Sequence, residues 1–252
     1  MRHALSFSRG AMKLLCCVGA ILSIAFSSMA FAGDRSQFEV IGYSQDKSYF
    51  AFEEFGVIEA SGHPYASMHL VDLTSNKPVK GWPYNVHLES ETHSVSDARR
   101  QAAALAKSAL NQYDISLSAR AIIYRADGDD DAQSQSLQFS SMAHFTMSST
   151  WRHHELIAKG IPMGTASGCE DFEQGPVGVQ LIYSYDDSQR MVYVDDKLPR
   201  SRHCPLSYNP TAVYIPFEAE NIVDGVALIS VWSQGFEGPD RRFIAISITN
   251  KE

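Results

Sequence analysis

The sequence predicts a mainly β fold, with antiparallel sheets in a sandwich or partial propeller-like arrangement and one long α-helix near residues 95–113. Three observations carry this. Short runs rich in aromatic and β-branched residues recur along the chain, bounded by Gly, Pro, Asn, Asp and Ser clusters, as strands and tight turns require. The stretch from Ser94 to Tyr113 instead carries apolar residues at steps of three and four. A strand–turn–strand unit also repeats. Tyr43-Ser44, Asp46-Lys47 and Tyr49-Phe50-Ala51-Phe52 are echoed by Trp232-Ser233, Asp240-Arg241-Arg242 and Phe243-Ile244-Ala245-Ile246. A weaker echo runs through Tyr183-Ser184, Asp186-Asp187, Arg190 and Val192-Tyr193-Val194.

The first residues read as a targeting signal. Arg2, Arg9 and Lys13 precede and open an apolar, small-residue stretch from Leu14 to Phe31, and Ala30-Phe31-Ala32 fits a cleavage site before Gly33. The stretch is about long enough to span a bilayer, but its Ser, Gly and Ala content and its cleavage pattern favour removal over anchoring. The expected organisation is a signal peptide over 1–32 and a single β-rich domain over 33–252, periplasmic or secreted, with no membrane span after cleavage. That remainder is long enough to bury one sizeable core.

The full chain has 252 residues and a formal net charge of −8. Loss of the leader removes three basic residues and no acidic ones, so the remainder is more acidic still. This argues against nucleic acid or an anionic membrane surface as partner, since basic patches supply affinity for both. Cys16 and Cys17 leave with the leader. Cys169 and Cys204 remain, and an isolated pair in an exported chain is expected to form a disulfide. Two-cysteine zinc binding or thiol chemistry is the alternative.

Phe38–Tyr43 and Tyr49–Phe55 read as strands, with 56–65 a loop carrying Gly56, Gly62 and Pro64. Ser67–Leu73 is the next strand, and Thr74-Ser75-Asn76-Lys77-Pro78 is turn chemistry. In the helix, Ser94-x-x-Asp97 resembles a capping box, and Val95, Ala98, Ala102, Leu105, Ala109 and Tyr113 form one stripe. Its low bulk lets the backbone lie close to a sheet. Strands are then expected at Ala119–Tyr124, Ser136–Met147, Val177–Tyr185, Arg190–Asp195, Ala212–Phe217, Val226–Trp232 and Phe243–Ile248, with Asp127–Asp131 an acidic turn. Tyr49–Phe55 and Phe243–Ile248 should run through the core, with the Asp46/Lys47 and Asp240/Arg241 turns at the sheet rim.

The opening strand–turn–strand unit resembles one blade repeat of Tol-B-like propellers, with Gln45 in place of a Pro and Ser48 displaced from a Gly. A propeller needs at least four blades, and two clear echoes fall short. A longer resemblance rests on Tyr49-Phe50-Ala51-Phe52-Glu53-Glu54-Phe55-Gly56, on Pro199-Arg200-Ser201-Arg202 before Cys204-Pro205, and on Gly235 through Phe243. These runs look like the bacterial predicted-secreted-protein family known as domain of unknown function 2259. The resemblance implies a periplasmic or secreted protein bridged between Cys169 and Cys204, and no activity. Val57-Ile58-Glu59-Ala60-Ser61-Gly62 departs from the family's Asp-Gly-Ser-Gly pattern, so no Asp-based site is implied there.

Two groups of residues could carry chemistry. Glu53, Glu54 and Glu59 with Glu237 and Asp240 could form a carboxylate site, because paired carboxylates do acid–base work when burial splits their pKa values. Neutralisation by Arg200, Arg202, Arg241 or Arg242 in a structural network is the competing reading. Arg200 and Arg202 lie beside Cys204, so two guanidiniums on a pinned loop would suit a carboxylate or phosphate; Arg241 and Arg242 are the further ligand-binding candidates. The histidines show no His-Glu-x-x-His or His-x-His spacing, and 127–131 lacks an EF-hand ligand order, so no metal is expected. Neither Gly-x-Ser-x-Gly nor a Walker-type loop occurs, and no cofactor is expected. Gly164-Thr165-Ala166-Ser167-Gly168 reads as a connecting loop. Three functions follow: a non-catalytic binding or interaction module presenting Trp82, Tyr84, Trp151 or Trp232; a cell-envelope hydrolase; or an assembly partner. An envelope protein or a small anionic ligand would be the partner.

Overall fold

The computed structural model describes residues 33–90, 92–142, 151–164, 169, 175–219, 222–236 and 238–248, without the side chains of Met142, Trp151 and Val223. Among the described residues the fold is mainly β, with three antiparallel sheets and no closed barrel. The first sheet runs β4 (Lys77–Pro78), β3 (His63–Asp72), β2 (Tyr49–Ile58), β1 (Gln37–Ser44), β6 (Ile115–Leu117), with β5 (Tyr84–His87) also on β3. The second runs β11 (Ser188–Val194), β10 (Val177–Tyr185), β9 (Trp151–Pro162), β8 (Ser136–Met142). The third runs β14 (Asp240–Ser247), β13 (Val226–Ser233), β12 (Pro205–Pro216), β7 (Ala119–Tyr124).

The third sheet has apolar cover on both faces. Every residue of β13 is buried. Val226 and Leu228 pack with Tyr43, Phe50, Phe52 and Val71 of the first sheet. Ala227, Ile229 and Val231 pack with Leu156, Val179 and Leu181 of the second. A strand covered on both sides reads as an unbroken apolar run, which is what Val226–Trp232 is. The outer face of the first sheet carries helix α1 (Val95–Gln112), capped by a full Ser94/Asp97 box. Ala98, Ala102 and Ala106 are its buried residues, seated against Ala66, Met68 and Val86. The stripe therefore advances by fours through Ala106, and Leu105 is 57% exposed, contrary to the 3-and-4 pattern expected.

The predicted strands are present, with differences. The expected loop at 56–65 is largely paired: β2 continues to Ile58 and β3 starts at His63, leaving a short turn. β9 and the first half of β12 were not expected, because polar His153, Glu155, Ser207 and Asn209 interrupt their apolar runs. The later part of Ser136–Met147 lies outside the described residues. At the first turn, Asp46 Oδ1 accepts from Ser44 Oγ (2.6 Å) and Ser48 N (2.9 Å), and Lys47 Nζ reaches Asp224 at 2.8 Å. Gly42 bulges β1 at φ +148°, where a Cβ would sit 2.3 Å from Leu117 O. Phe50, Phe52, Phe243, Ile246 and Ile248 are all buried, so both echoing strands run through the core. Arg241, expected at a rim, is itself buried. Cys169 and Cys204 are joined by a disulfide.

Candidate functional site

Side chains alternate between the two faces of a strand, and on β2 that alternation divides the candidate carboxylates. Glu53 faces the helix, where its Oε2 accepts from Arg99 Nε (2.9 Å) and Nη2 (2.7 Å). Arg99 also meets Glu39 and lies over the Phe55 ring at 4.1 Å. Glu54 faces the third sheet, where its Oε2 accepts from Phe243 N at 2.8 Å and its Oε1 lies 3.5 Å from Arg242 Nε. Asp240 Oδ1 accepts from Asp34 N at 2.8 Å, Glu59 is exposed, and Glu237 lies outside the described residues. The structure thus brings no two of the described carboxylate candidates into one pocket.

Glu54 lines a cleft of about 490 Å³ between β2–β3 and the edge strand β14. β5 flanks it on one side, and Tyr193 with the turn 199–203 on the other. Much of the wall is apolar: Phe52, Ile58, Val71, Val86, Val231 and Ile246. A polar row crosses it on β3 and β2. Tyr65, Ser67 and His69 share one face, with Glu54 opposite Ser67 in the ladder. Gly56 is opposite Tyr65, and a Cβ there would meet the Tyr65 hydroxyl at 2.9 Å, so the glycine makes room for the ring. Arg242 lies over the Tyr65 ring at 5.0 Å. His69 stacks on Phe52 with ring centroids 4.5 Å apart and planes 6° apart.

Burial sets the protonation of this row. It pushes the Glu54 carboxyl up to about 7, with Arg242 and the Phe243 N–H pulling partly the other way. It pushes the His69 imidazole down to about 4 and the Tyr65 phenol up to about 12. His69 Nε2 is buried with no hydrogen-bond partner among the described residues. The buried Tyr65 hydroxyl has Ser36 beside it yet closes no hydrogen bond of good geometry there. Each such atom forfeits its hydration without compensation, a cost of about 1–3 kcal/mol.

The four arginine candidates separate. Arg202 lines the cleft but is held from behind by Asp195 Oδ2 (2.6 Å), Tyr193 OH (3.2 Å) and Tyr208 OH (3.4 Å). Arg242 lines it too, with its one short hydrogen bond to Arg241 O (2.7 Å) and looser approaches to Asp34 and Glu54. Arg200 is exposed on the turn. Arg241 is a core staple: it donates to Ser36 O (3.1 and 2.8 Å), pairs with Asp127 and lies over Trp232. Trp232 is buried rather than displayed, and Trp82 and Tyr84 pack edge-to-face beneath the helix.

Tyr65 and His69 escaped the sequence reading. The available signal was the alternation of β3, which sets polar Ser67 and His69 on the same face as Tyr65 and Val71. A second polar chain was also missed. His154 is buried between Ser141 Oγ (2.6 Å from Nε2) and Tyr183 OH (2.7 Å from Nδ1), and its imidazole is pushed down to about 4. Both nitrogens are satisfied, and Phe139 and Tyr185 stack on the ring, so it works as a core histidine. Among the described residues no group of three His, Cys, Asp or Glu side chains could hold a metal ion, and no helix is long and apolar enough to cross a membrane.

A family model described as predicted secreted protein (DUF2259) matches residues 51–249, which includes every described wall of the cleft. No curated protein and no solved structure matches the chain.

Proposed function

Because the chain belongs to the DUF2259 family of predicted secreted proteins, we propose that it is a secreted, non-catalytic binding module that holds a small ligand between its first and third sheets. The leader 1–32 is removed on export, and residues 33–252 act as one domain in the periplasm or outside the cell. The observation that carries the reading is the cleft of about 490 Å³, apolar over much of its wall and crossed by Tyr65, Ser67, His69 and Glu54. Binding sites are concave and mostly apolar, with a few placed polar groups that fix orientation.

Native mass spectrometry of the protein purified from its own envelope tests this. The expected result is a retained small molecule that is lost from Ser67→Trp, a substitution at a half-buried wall position that fills the cleft. A ligand retained equally by that folded variant would remove the cleft from consideration.

A second reading, a cell-envelope hydrolase, draws on Glu54, whose carboxyl at about 7 could give or take a proton near neutrality. Glycoside hydrolysis calls for two carboxylates flanking the scissile bond, and Glu53 faces away toward Arg99. Turnover of envelope polysaccharide or ester substrates, abolished in Glu54→Gln, would establish this reading in place of the first.

A further inference from the structure

The third sheet stops short of the first. β14 is its last strand, and it is seated over β2: Phe243 N donates to Glu54, and Phe243 and Ala245 pack with Phe50 and Phe52. Among the described residues no further strand of that sheet follows to cover β3. The inner rows show the gap. Phe50, Phe52 and Glu54 on β2 are buried, whereas Ser67 and His69 on β3 are only half-buried. The cleft lies at this place. A strand takes up about 4.8 Å of sheet width, about 10 Å between layers and about 3.4 Å along its length, roughly 160 Å³ per residue. A cleft of about 490 Å³ therefore suits about three residues of extended chain.

The edge of β14 is open over a matching length. Arg241 N donates outward to Asp34 O, Phe243 N to Glu54 Oε2 (2.8 Å) and Ser247 N to Asn76 Oδ1 (2.7 Å). Alternate residues of an antiparallel strand turn their backbone groups to opposite sides, so the odd-numbered residues of β14 face away from β13. Between the Glu54 and Asn76 anchors, Phe243 O, Ala245 N and Ala245 O have no hydrogen-bond partner among the described residues. Both anchors line the cleft, and so does every residue from 242 to 246. Their side chains alternate, Phe243 and Ala245 toward the first sheet, Ile244 and Ile246 toward the second. What these consecutive residues share is the strand's edge, so the edge is what the cleft exposes.

A carboxylate could satisfy only the one donor, and an ammonium group only the two acceptors. An extended peptide satisfies all three: one residue exchanges both bonds with Ala245, and the residue two places on donates to Phe243 O. Resting on the binding reading above, we infer that the cleft takes a short, extended, apolar peptide of about three residues, added antiparallel to the edge of β14. Its first and third side chains turn toward β3, as Ala245 does, and its middle one turns away, as Ile244 does.

Acetyl-Val-Ala-Val-amide, capped so that every N–H is an amide, tests this by isothermal titration on the protein purified from its own envelope. N-methylation of either Val removes a donor aimed at β14 and should weaken binding by at least ~10-fold; N-methylation of the central Ala, whose N–H points away, should cost less than ~3-fold. Ala245→Pro deletes the outward donor without touching the ladder to β13, a place where an edge strand tolerates Pro, and should also weaken binding by at least ~10-fold. The N-methyl series is read on the unmutated protein, so it decides even where Ala245→Pro fails to fold. Equal loss at all three positions, or loss at none, would overturn the pairing. Binding that survives both Ala245→Pro and Ser67→Trp would overturn the site. Tighter binding of acetyl-Gln-Gln-Val-Ala-Val-Gln-Gln-amide would assign the edge to a longer partner chain and overturn the short peptide. Failure of the peptides to bind, with a small molecule still retained and lost from Ser67→Trp, would overturn this inference and leave the binding module standing. Failure of both would remove the module as well.

Discussion

Glu53 and Glu54 are adjacent in the chain yet are held by different layers of the molecule: Glu53 by Arg99 of the helix, Glu54 by the Phe243 N–H of the third sheet. The pair could not act as an acid–base couple without a register shift that would turn the whole strand over. What reads in sequence as a carboxylate dyad is two separate fastenings of β2, one on each face.

The first fastening is an ion pair with one buried member. A double-mutant cycle of Glu53→Ala and Arg99→Ala should give a coupling of about 1–2 kcal/mol in urea unfolding, because removing either partner strands the other. Arg99→Ala alone should cost more than a surface substitution, as it leaves a buried carboxylate. Additive single mutants would show that the contact contributes nothing.

Glu54 carries a pH signature. Its folded value of about 7 stands above the usual 4.5, so the folded state holds this proton more tightly than the unfolded chain. The resulting stabilisation is complete below about 4.5 and is lost as pH rises through 7. Glu54→Gln is neutral throughout, so its stability relative to wild type should rise by roughly 1–3 kcal/mol between pH 5 and pH 8. A constant difference across that range would refute the shift.

His69 and His154 act in the opposite sense. Both imidazoles are pushed from 6.5 to about 4, so the stabilisation they bring is present above about 6.5 and is lost as pH falls through 4. Their ring carbon resonances in NMR titrations should stay at neutral-imidazole positions down to about pH 5. Midpoints near 6.5 for either ring would contradict its burial.

The disulfide closes a loop of 35 positions. Cys169→Ser with Cys204→Ser should lower unfolding free energy by about 3–4 kcal/mol on loop entropy. Because Cys204 directly follows the turn 199–203 that borders the cleft, the same pair should also weaken ligand retention. Unchanged denaturant midpoints would show that the bridge adds nothing to stability.

Much of this architecture was legible. The helix, the turns and the inner strands follow from period and turn chemistry, and the pairing of Cys169 with Cys204 follows from the expectation of export. Arg202 and Arg242, singled out as cationic neighbours of specific motifs, do line one cleft. What stayed hidden depends on contacts distant in sequence. Arg241 and Arg242 are indistinguishable as text; one is locked by Ser36 O and Asp127, the other edges the cleft. β9 was hidden because its inner row mixes His154 with Leu156 and Ala158, a pattern that tertiary hydrogen bonds from Ser141 and Tyr183 make acceptable.

The segment at Gly33 has a bearing on biogenesis. Arg241 N donates to Asp34 O at 2.8 Å, Ser36 Oγ donates to Arg241 O at 2.6 Å, and a Cβ on Gly33 would lie 2.2 Å from Pro239 O. The residues just downstream of the proposed cut are therefore stitched to β14, leaving little slack for a peptidase to grip an extended substrate. Were a leader cut before Gly33, as proposed above, the cut would have to come before these residues dock on β14.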